Sequence, residues 1–124
     1  MFPTDRKYTA DHEWVQGDNP ARIGITTFAA QALDEAVYVD LPEVDSEVEA
    51  GEACGEIESV KSVSDLVAPL SGRVTAINDA VVDDPKLATD DPHGEGWLYE
   101  VEPSGETADL LDAEAYEHLT AEAK

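Results

Sequence analysis

Apolar residues recur at every second position in several short stretches of the chain, and at helical spacing in two others. Residues 8–17, YTADHEWVQG, read as a short strand entered through a polar turn. Residues 21–26, ARIGIT, read as its neighbour, with a turn at Asn19–Pro20 between them. In residues 27–35 the period lengthens: Phe28, Ala32 and Leu33 share one helical face, and Thr27 is placed to cap the helix. Residues 36–42 return to a period of two, with Val37, Val39 and Leu41 facing one way and Tyr38 and Asp40 the other, until Pro42 ends the strand.

Residues 43–52 are polar and turn-like around Gly51. Residues 53–60 alternate again, Ala53, Gly55, Ile57 and Ser59 against Cys54, Glu56 and Glu58, as in a half-solvated strand. Residues 63–68, VSDLVA, form its partner, and the V-K-S segment between them turns with Lys61 near the apex. Pro69 and Ser71–Gly72 interrupt the chain before another strand at 73–78. Gly51 and Gly72 are expected to set strand crossings. Residues 79–96 are rich in Asp, Pro and Gly and read mostly as loop, with a helical turn near Asp79–Val82, before a last strand at 96–103. Leu110, Leu111, Ala115, Tyr116 and Leu119 place an amphipathic helix over Asp109–Lys124. Short strands between Gly and Pro turns predict a mainly β fold, an antiparallel sandwich or small barrel, with one helix in the N-terminal half and one at the C-terminus. Trp14 and Trp97 are read as core or sheet-packing residues.

Composition supports one domain over residues 1–124, since 42% of the residues are hydrophobic and can form a core. Charge changes the picture more. Twenty-nine Asp and Glu against seven Lys and Arg give a net charge of −22, which argues against partnership with nucleic acid or an anionic membrane surface. No run of 18 apolar residues is long enough to span a bilayer, and MFPTDRKYTA lacks the apolar segment of a secretory signal, so a cytoplasmic location is expected. The acids are interleaved with Val, Ile, Leu, Trp and Tyr, which fits a folded domain with a hydrated acidic surface better than a disordered tail. Such a surface suits high salt, where repulsion is screened within roughly 3 Å at 1 M, and the composition points to a halophilic source.

No catalytic constellation emerges from the spacing. His12, His93 and His118 stand in three different contexts, and Cys54 is the only cysteine, which excludes an internal disulfide and a multi-cysteine metal cluster. No G-x-S-x-G, H-E-x-x-H or C-x-x-C is present, and the HGEG at 93–96 lacks the lysine and helix of a phosphate cradle. No metal site is expected.

Four lysines occur, and only Lys61 lies between two alternating strands. A turn lysine is ordinarily just a solvated charge. An exposed amine on a rigid hairpin is also what an enzyme needs to attach an acyl cofactor through an amide, a bond that Arg cannot form.

At this point the chain resembles the glycine cleavage H-protein family. The matching stretches are DHEWV (11–15), IGIT (23–26), VDLP (39–42), AGE (50–52), ESVKSVSDL (58–66), APLSGRV (68–74), IND (77–79), DPHGEGWL (91–98) and LLDAEAYEHL (110–119), in order over nearly the whole chain. Cys54 and Glu56 depart from the larger, less polar residues the pattern leads one to expect. The resemblance implies a lipoyl-type barrel-sandwich hybrid and a carrier that is not itself an enzyme. Lipoate would be joined covalently to Lys61, with Glu58, Ser59, Val60 and Ser62 shaping what the lipoate-attachment enzyme sees. The implied partners are the pyridoxal-phosphate glycine decarboxylase (P protein), the tetrahydrofolate-dependent aminomethyltransferase (T protein) and dihydrolipoamide dehydrogenase (L protein). A carrier that must dock and leave is expected to be a monomer.

Other readings remain open. Biotin carriers flank their lysine with methionines, whereas here Val60 and Ser62 flank Lys61. Lipoyl domains of 2-oxoacid dehydrogenases are shorter and precede Ala/Pro-rich linkers. A lipoyl donor for other enzymes, or an H-like protein that acts unmodified by contact alone, would share the same hairpin. The charge makes its own prediction: the thermal unfolding midpoint, followed by circular dichroism, rises between dilute buffer and 3 M KCl. A protein that loses most of its stability in 3 M KCl contradicts the reading of the acidic surface.

Overall fold

The computed structural model describes residues 2–17, 20–107 and 110–122. Among the described residues nine strands and four helices are formed: β1 (Lys7–Tyr8), β2 (Glu13–Gln16), β3 (Ala21–Ile25), α1 (Thr27–Leu33), β4 (Ala36–Asp40), β5 (Glu47–Val48), β6 (Ala53–Ser59), β7 (Val63–Val67), β8 (Leu70–Ile77), α2 (Asp79–Asp83), α3 (Leu87–Asp90), β9 (Tyr99–Thr107) and α4 (Ala113–Glu122). The turn at Asn19 and the outer limits of the last helix, Asp109 and Lys124, lie outside the described residues.

Two antiparallel sheets carry the fold. One has six strands in the order β1-β2-β3-β9-β8-β5, the other three in the order β4-β6-β7. Both are open at their edges, so the architecture is the sandwich form of the expected fold class. Ile23, Ile57, Leu66, Val74, Leu98, Tyr99 and Val101 are buried together in the main core, with Ala30 and Leu33 of α1 and Val81 of α2. A second cluster holds Tyr8, Trp14, Ala113 and Tyr116, and is where α4 docks. Trp14 is fully buried and its indole N–H donates to the Pro92 carbonyl at 2.8 Å. Trp97 is half-buried beneath Arg22, 4.3 Å from ring centre to guanidinium.

Several expectations from the pattern are corrected. The α1 cap is Thr26, not Thr27: the Thr26 hydroxyl accepts from the Ala29 amide at 3.2 Å. In β4 the strict alternation fails because the pairing with β6 slips between Ala36 and Tyr38, which turns Val37 out to solvent. A second irregularity, between Ala53 and Gly55, leaves Ala53 exposed and turns Cys54 inward to within 3.3 Å of the Tyr99 hydroxyl. Residues 43–52 contain the short strand β5, paired through Val48 to Gly72. The Asp/Pro-rich stretch forms two short helices, with the Asn78 side chain accepting from the Ala80 amide to start α2. The last strand begins at Tyr99, and Leu110 and Leu111 precede α4, where Leu111 exchanges backbone hydrogen bonds with Tyr8 at 2.8 and 2.7 Å.

Gly72 does not break the chain as expected but lies inside β8. A Cβ there would overlap the Glu102 carbonyl oxygen of β9 and the Val101 side chain. Gly51, by contrast, does turn the chain, at φ +86°. Gly72→Ala is therefore expected to destabilise by about 1–3 kcal/mol, read as a lower denaturant midpoint. An unchanged midpoint would show that β8 and β9 are not held this close.

Candidate functional site

Lys61 sits at the tip of the hairpin made by β6 and β7. The ladder runs from Ala53 opposite Val67 to Glu58 opposite Val63, with Ile57 and Leu66 buried on its inner side. Beyond the last pair, the Ser59 amide donates to the Ser62 carbonyl at 2.8 Å, and the Ser62 amide donates to the Ser59 hydroxyl at 3.1 Å. Val60 and Lys61 are the two residues left outside this closure. Val60 is 87% exposed and Lys61 is exposed beside it, with no carboxylate within 4 Å of its amine among the described residues. Lys86 is instead tied to Asp90 at 3.5 Å. Lys124 lies outside the described residues.

The flanking residues singled out in the sequence thus meet at one place, in different settings. Ser59 is buried, Glu58 is half-buried between Tyr38 of β4 and Val63 of β7, and Ser62 is exposed. Tyr38 and Val63 are 52% and 55% exposed, so the lysine stands beside an apolar patch that the sequence pattern did not reveal. The Val37 bulge extends it. One step further from the tip on the same face, Asp40, Glu56 and Asp65 lie side by side across the three strands.

Behind the hairpin is a cavity of about 140 Å3, lined by His12, Glu13, Phe28, Leu33, Ile57 and Ser64 among others. Glu13 was missed by the sequence reading. It is 2% exposed, its Oε2 accepts from the Val67 amide at 2.8 Å, and its Oε1 has no partner among the described residues. Burial pushes its carboxyl up to about 8, against the Val67 hydrogen bond, which pulls it down. The available signal was its parity with Val15 in the strand, which puts a carboxyl on a core-facing row. His12 takes a left-handed backbone (φ 67°), and its Nδ1 is 2.7 Å from the Tyr116 hydroxyl. Burial depresses this imidazole, so its neutral form is favoured. Of the other titratable candidates, His118 is exposed on α4, whereas His93 and Cys54 are engaged in the scaffold. His93 Nε2 accepts from the Thr27 amide at 3.2 Å, and burial raises the Cys54 thiol to about 11, keeping it from acting as a thiolate.

A two-sheet β scaffold with an exposed lysine at a hairpin tip, unpaired among the described residues, fits a carrier domain of the lipoyl type. The sequence profile of the glycine cleavage H-protein matches residues 6–123. The glycine cleavage system H protein of Thermobifida fusca is 55% identical over 119 residues, covering 95% of this chain and 94% of that one. The H protein of Corynebacterium jeikeium is 54% identical over 122 residues, covering 94% of each. The crystal structure of a glycine cleavage system H protein from Mycobacterium marinum superposes with a TM-score of 0.93 at 49% identity, covering 97% of this chain and 99% of that one. The chain belongs to the glycine cleavage H-protein family, and its role is that of the lipoyl carrier of the glycine cleavage system.

The buried carboxyl gives this site a pH signature. In the unfolded chain Glu13 ionises near 4.5, whereas in the fold it holds its proton to about 8. The unfolded state binds fewer protons between these values, so stability from this group falls as pH rises through that window, by at most ~1.4 kcal/mol per unit. Glu13→Gln keeps an acceptor for the Val67 amide and removes the titration. Its stability relative to the parent should rise from about pH 4.5 to pH 8 and then level off, as read by urea unfolding. A difference that stays flat across this range contradicts a protonated Glu13.

Proposed function

We propose that Lys61 is the residue that bears lipoate, joined by an amide between Nζ and the lipoyl carboxyl carbon. The observation that carries this is the placement of Lys61 outside a closed, core-anchored turn, with no ion pair among the described residues. The chain's contribution is to hold that amine clear of the sheet while the strands below it stay fixed. Bound lipoate supplies a disulfide that can be reduced and can accept a one-carbon amine unit. The residues present suit such a tether. Ser64, the second residue of β7, lines the cavity where Glu13 Oε1 has no hydrogen-bond partner among the described residues. A polar or cationic group reaching that cavity would find a hydrogen-bond partner in Glu13, and a positive charge there would favour its ionised form.

On this reading the protein is not a catalyst but a shuttled substrate of the glycine decarboxylase, the aminomethyltransferase, dihydrolipoamide dehydrogenase and the lipoate-attachment enzyme. A mobile tether lets separate active sites see the same group at high effective concentration. The acidic row of Asp40, Glu56 and Asp65 favours partners with basic residues around their entrances, bound in a salt-dependent manner.

Intact-mass measurement of protein from cells degrading glycine is expected to show an adduct of about 188 Da, mapping to Lys61. Lys61→Arg keeps the charge but should show no adduct and no glycine cleavage when mixed with the other three components. Full activity of that variant, or a bare lysine at position 61 in cells running the pathway, overturns the assignment.

A further inference from the structure

We infer that Ser59 is the positioning residue for the acceptor lysine: its hydroxyl, in place of its carbonyl, closes the Val60–Lys61 turn and fixes how the amine is offered. This inference rests on the reading that Lys61 is the site of attachment.

Two-residue hairpin loops favour primed turns, whose positive φ values call for Gly, Asn or Asp. Val60 and Lys61 are neither, and neither has a positive φ. A β-branched valine is among the residues least able to take that conformation. With the loop held in the ordinary right-handed or extended regions, its closing bonds change. The Ser59 amide still reaches the Ser62 carbonyl at 2.8 Å, but the return bond from the Ser62 amide goes to the Ser59 side chain at 3.1 Å. The same hydroxyl lies 3.3 Å from both the carbonyl and the hydroxyl oxygen of Ser62. Three polar atoms of Ser62 thus converge on one side-chain oxygen.

That oxygen is itself well anchored. Ser59 is 8% exposed and paired across to Ala36 of β4, which is 2% exposed. The hydroxyl is therefore set by the body of the three-stranded sheet, and it sets the loop in turn. This arrangement allows a lysine in a turn position that would otherwise favour glycine or asparagine. It also holds Val60 outward beside Lys61, so that an enzyme meets the two side chains in one fixed relation. Alanine at position 59 would leave the Ser62 amide without its acceptor and let the loop sample other turns. Threonine would keep the hydroxyl.

The test uses the unmodified full chain, a bacterial lipoate–protein ligase, lipoate and ATP, followed by intact mass over time. In this reaction the amine attacks the acyl carbon of the lipoyl-adenylate, AMP leaves with the electrons of the broken C–O bond, and the amine's proton passes to solvent. Ser59→Ala is expected to lose about tenfold in kcat/KM, mostly through KM, the scale of one lost hydrogen bond. Ser59→Thr should stay within about twofold of the parent. Acetylation of Lys61 by an N-hydroxysuccinimide ester should proceed equally in all three, because the amine itself is unchanged. The Ser62 amide of the parent should be protected from hydrogen exchange, a measurement that needs no variant to fold. Ser59→Ala loaded as fast as the parent, Ser59→Thr failing as badly as Ser59→Ala, or an unprotected Ser62 amide would each overturn the inference while leaving Lys61 as the carrier residue. A parent chain that takes no adduct at Lys61 would overturn both.

Discussion

The burial of Ile57 and Leu66 is the constraint on which the site depends. A lysine can be free only at the end of something that is not, and these two residues pin the two strands of the lysine hairpin into the core from within four and five positions of Lys61. Each buried aliphatic side chain of this size contributes on the order of 1.5–3 kcal/mol of transfer free energy. Two of them, with the ladder hydrogen bonds between, keep the strands ordered without any contribution from the tip. The tip can then be as exposed as Val60 and Lys61 are, and its disposition is left to the two serines that close it. Freedom of the side chain and rigidity of its base come from adjacent layers of the same hairpin.

Charge is handled in a corresponding way. With twenty-nine acids and seven strong bases, most carboxylates have no cation to pair with. The arginines are used within the scaffold: Arg22 binds Glu100 at 2.9 Å while covering Trp97, and Arg73 pairs with Asp45 and Glu102 beside the close contact of β8 with β9. Arg6 lies over Trp14 and donates to the His93 carbonyl at 2.8 Å. These exposed or half-exposed ion pairs are each worth little, but Arg22 and Arg6 also cover the Trp97 and Trp14 rings. Lys61 has been spared from this network, which keeps its amine available at a surface that is otherwise acidic.

The alternation of 53–59 and 63–67 and the lysine between them were legible in the sequence, because a period of two with turn residues between is a direct consequence of strand geometry. So was α1 as a helix, although its buried residues are Ala30 and Leu33, with Phe28 half-buried and the expected Ala32 exposed. Two of the misreadings share one cause: local register. Val37 was expected inside and Cys54 outside, and in both places a slipped pair between β4 and β6 or β6 and β7 changes which way the side chain points. A single extra residue in one strand leaves no mark in composition. Gly72 was misread for a related reason, since its lack of a side chain serves the approach of β9, a neighbour thirty residues away in sequence, and not a turn. The buried Glu13 was hidden by plain chemistry: a carboxylate in an acid-rich chain is the least informative residue type, and only the fold shows which of the described ones is buried.

The C-terminal helix then has a reason to be part of the site and not merely appended to it. Its Tyr116 hydroxyl lies 2.7 Å from both His12 Nδ1 and the Thr26 hydroxyl that caps α1. His12 lines the cavity next to Glu13, and Thr26 starts the helix whose Phe28, also on the cavity wall, has its ring centre 4.6 Å from that of His12. His12 holds a left-handed backbone, which costs on the order of 1–3 kcal/mol unless its surroundings enforce it. The Tyr116 bond, the Phe28 contact and the His12 amide donating to Thr9 at 3.1 Å are that enforcement. One phenol therefore ties α4 and α1 to the segment that turns Glu13 toward the cavity. Removing the helix would loosen Glu13, the one buried carboxyl among the described residues.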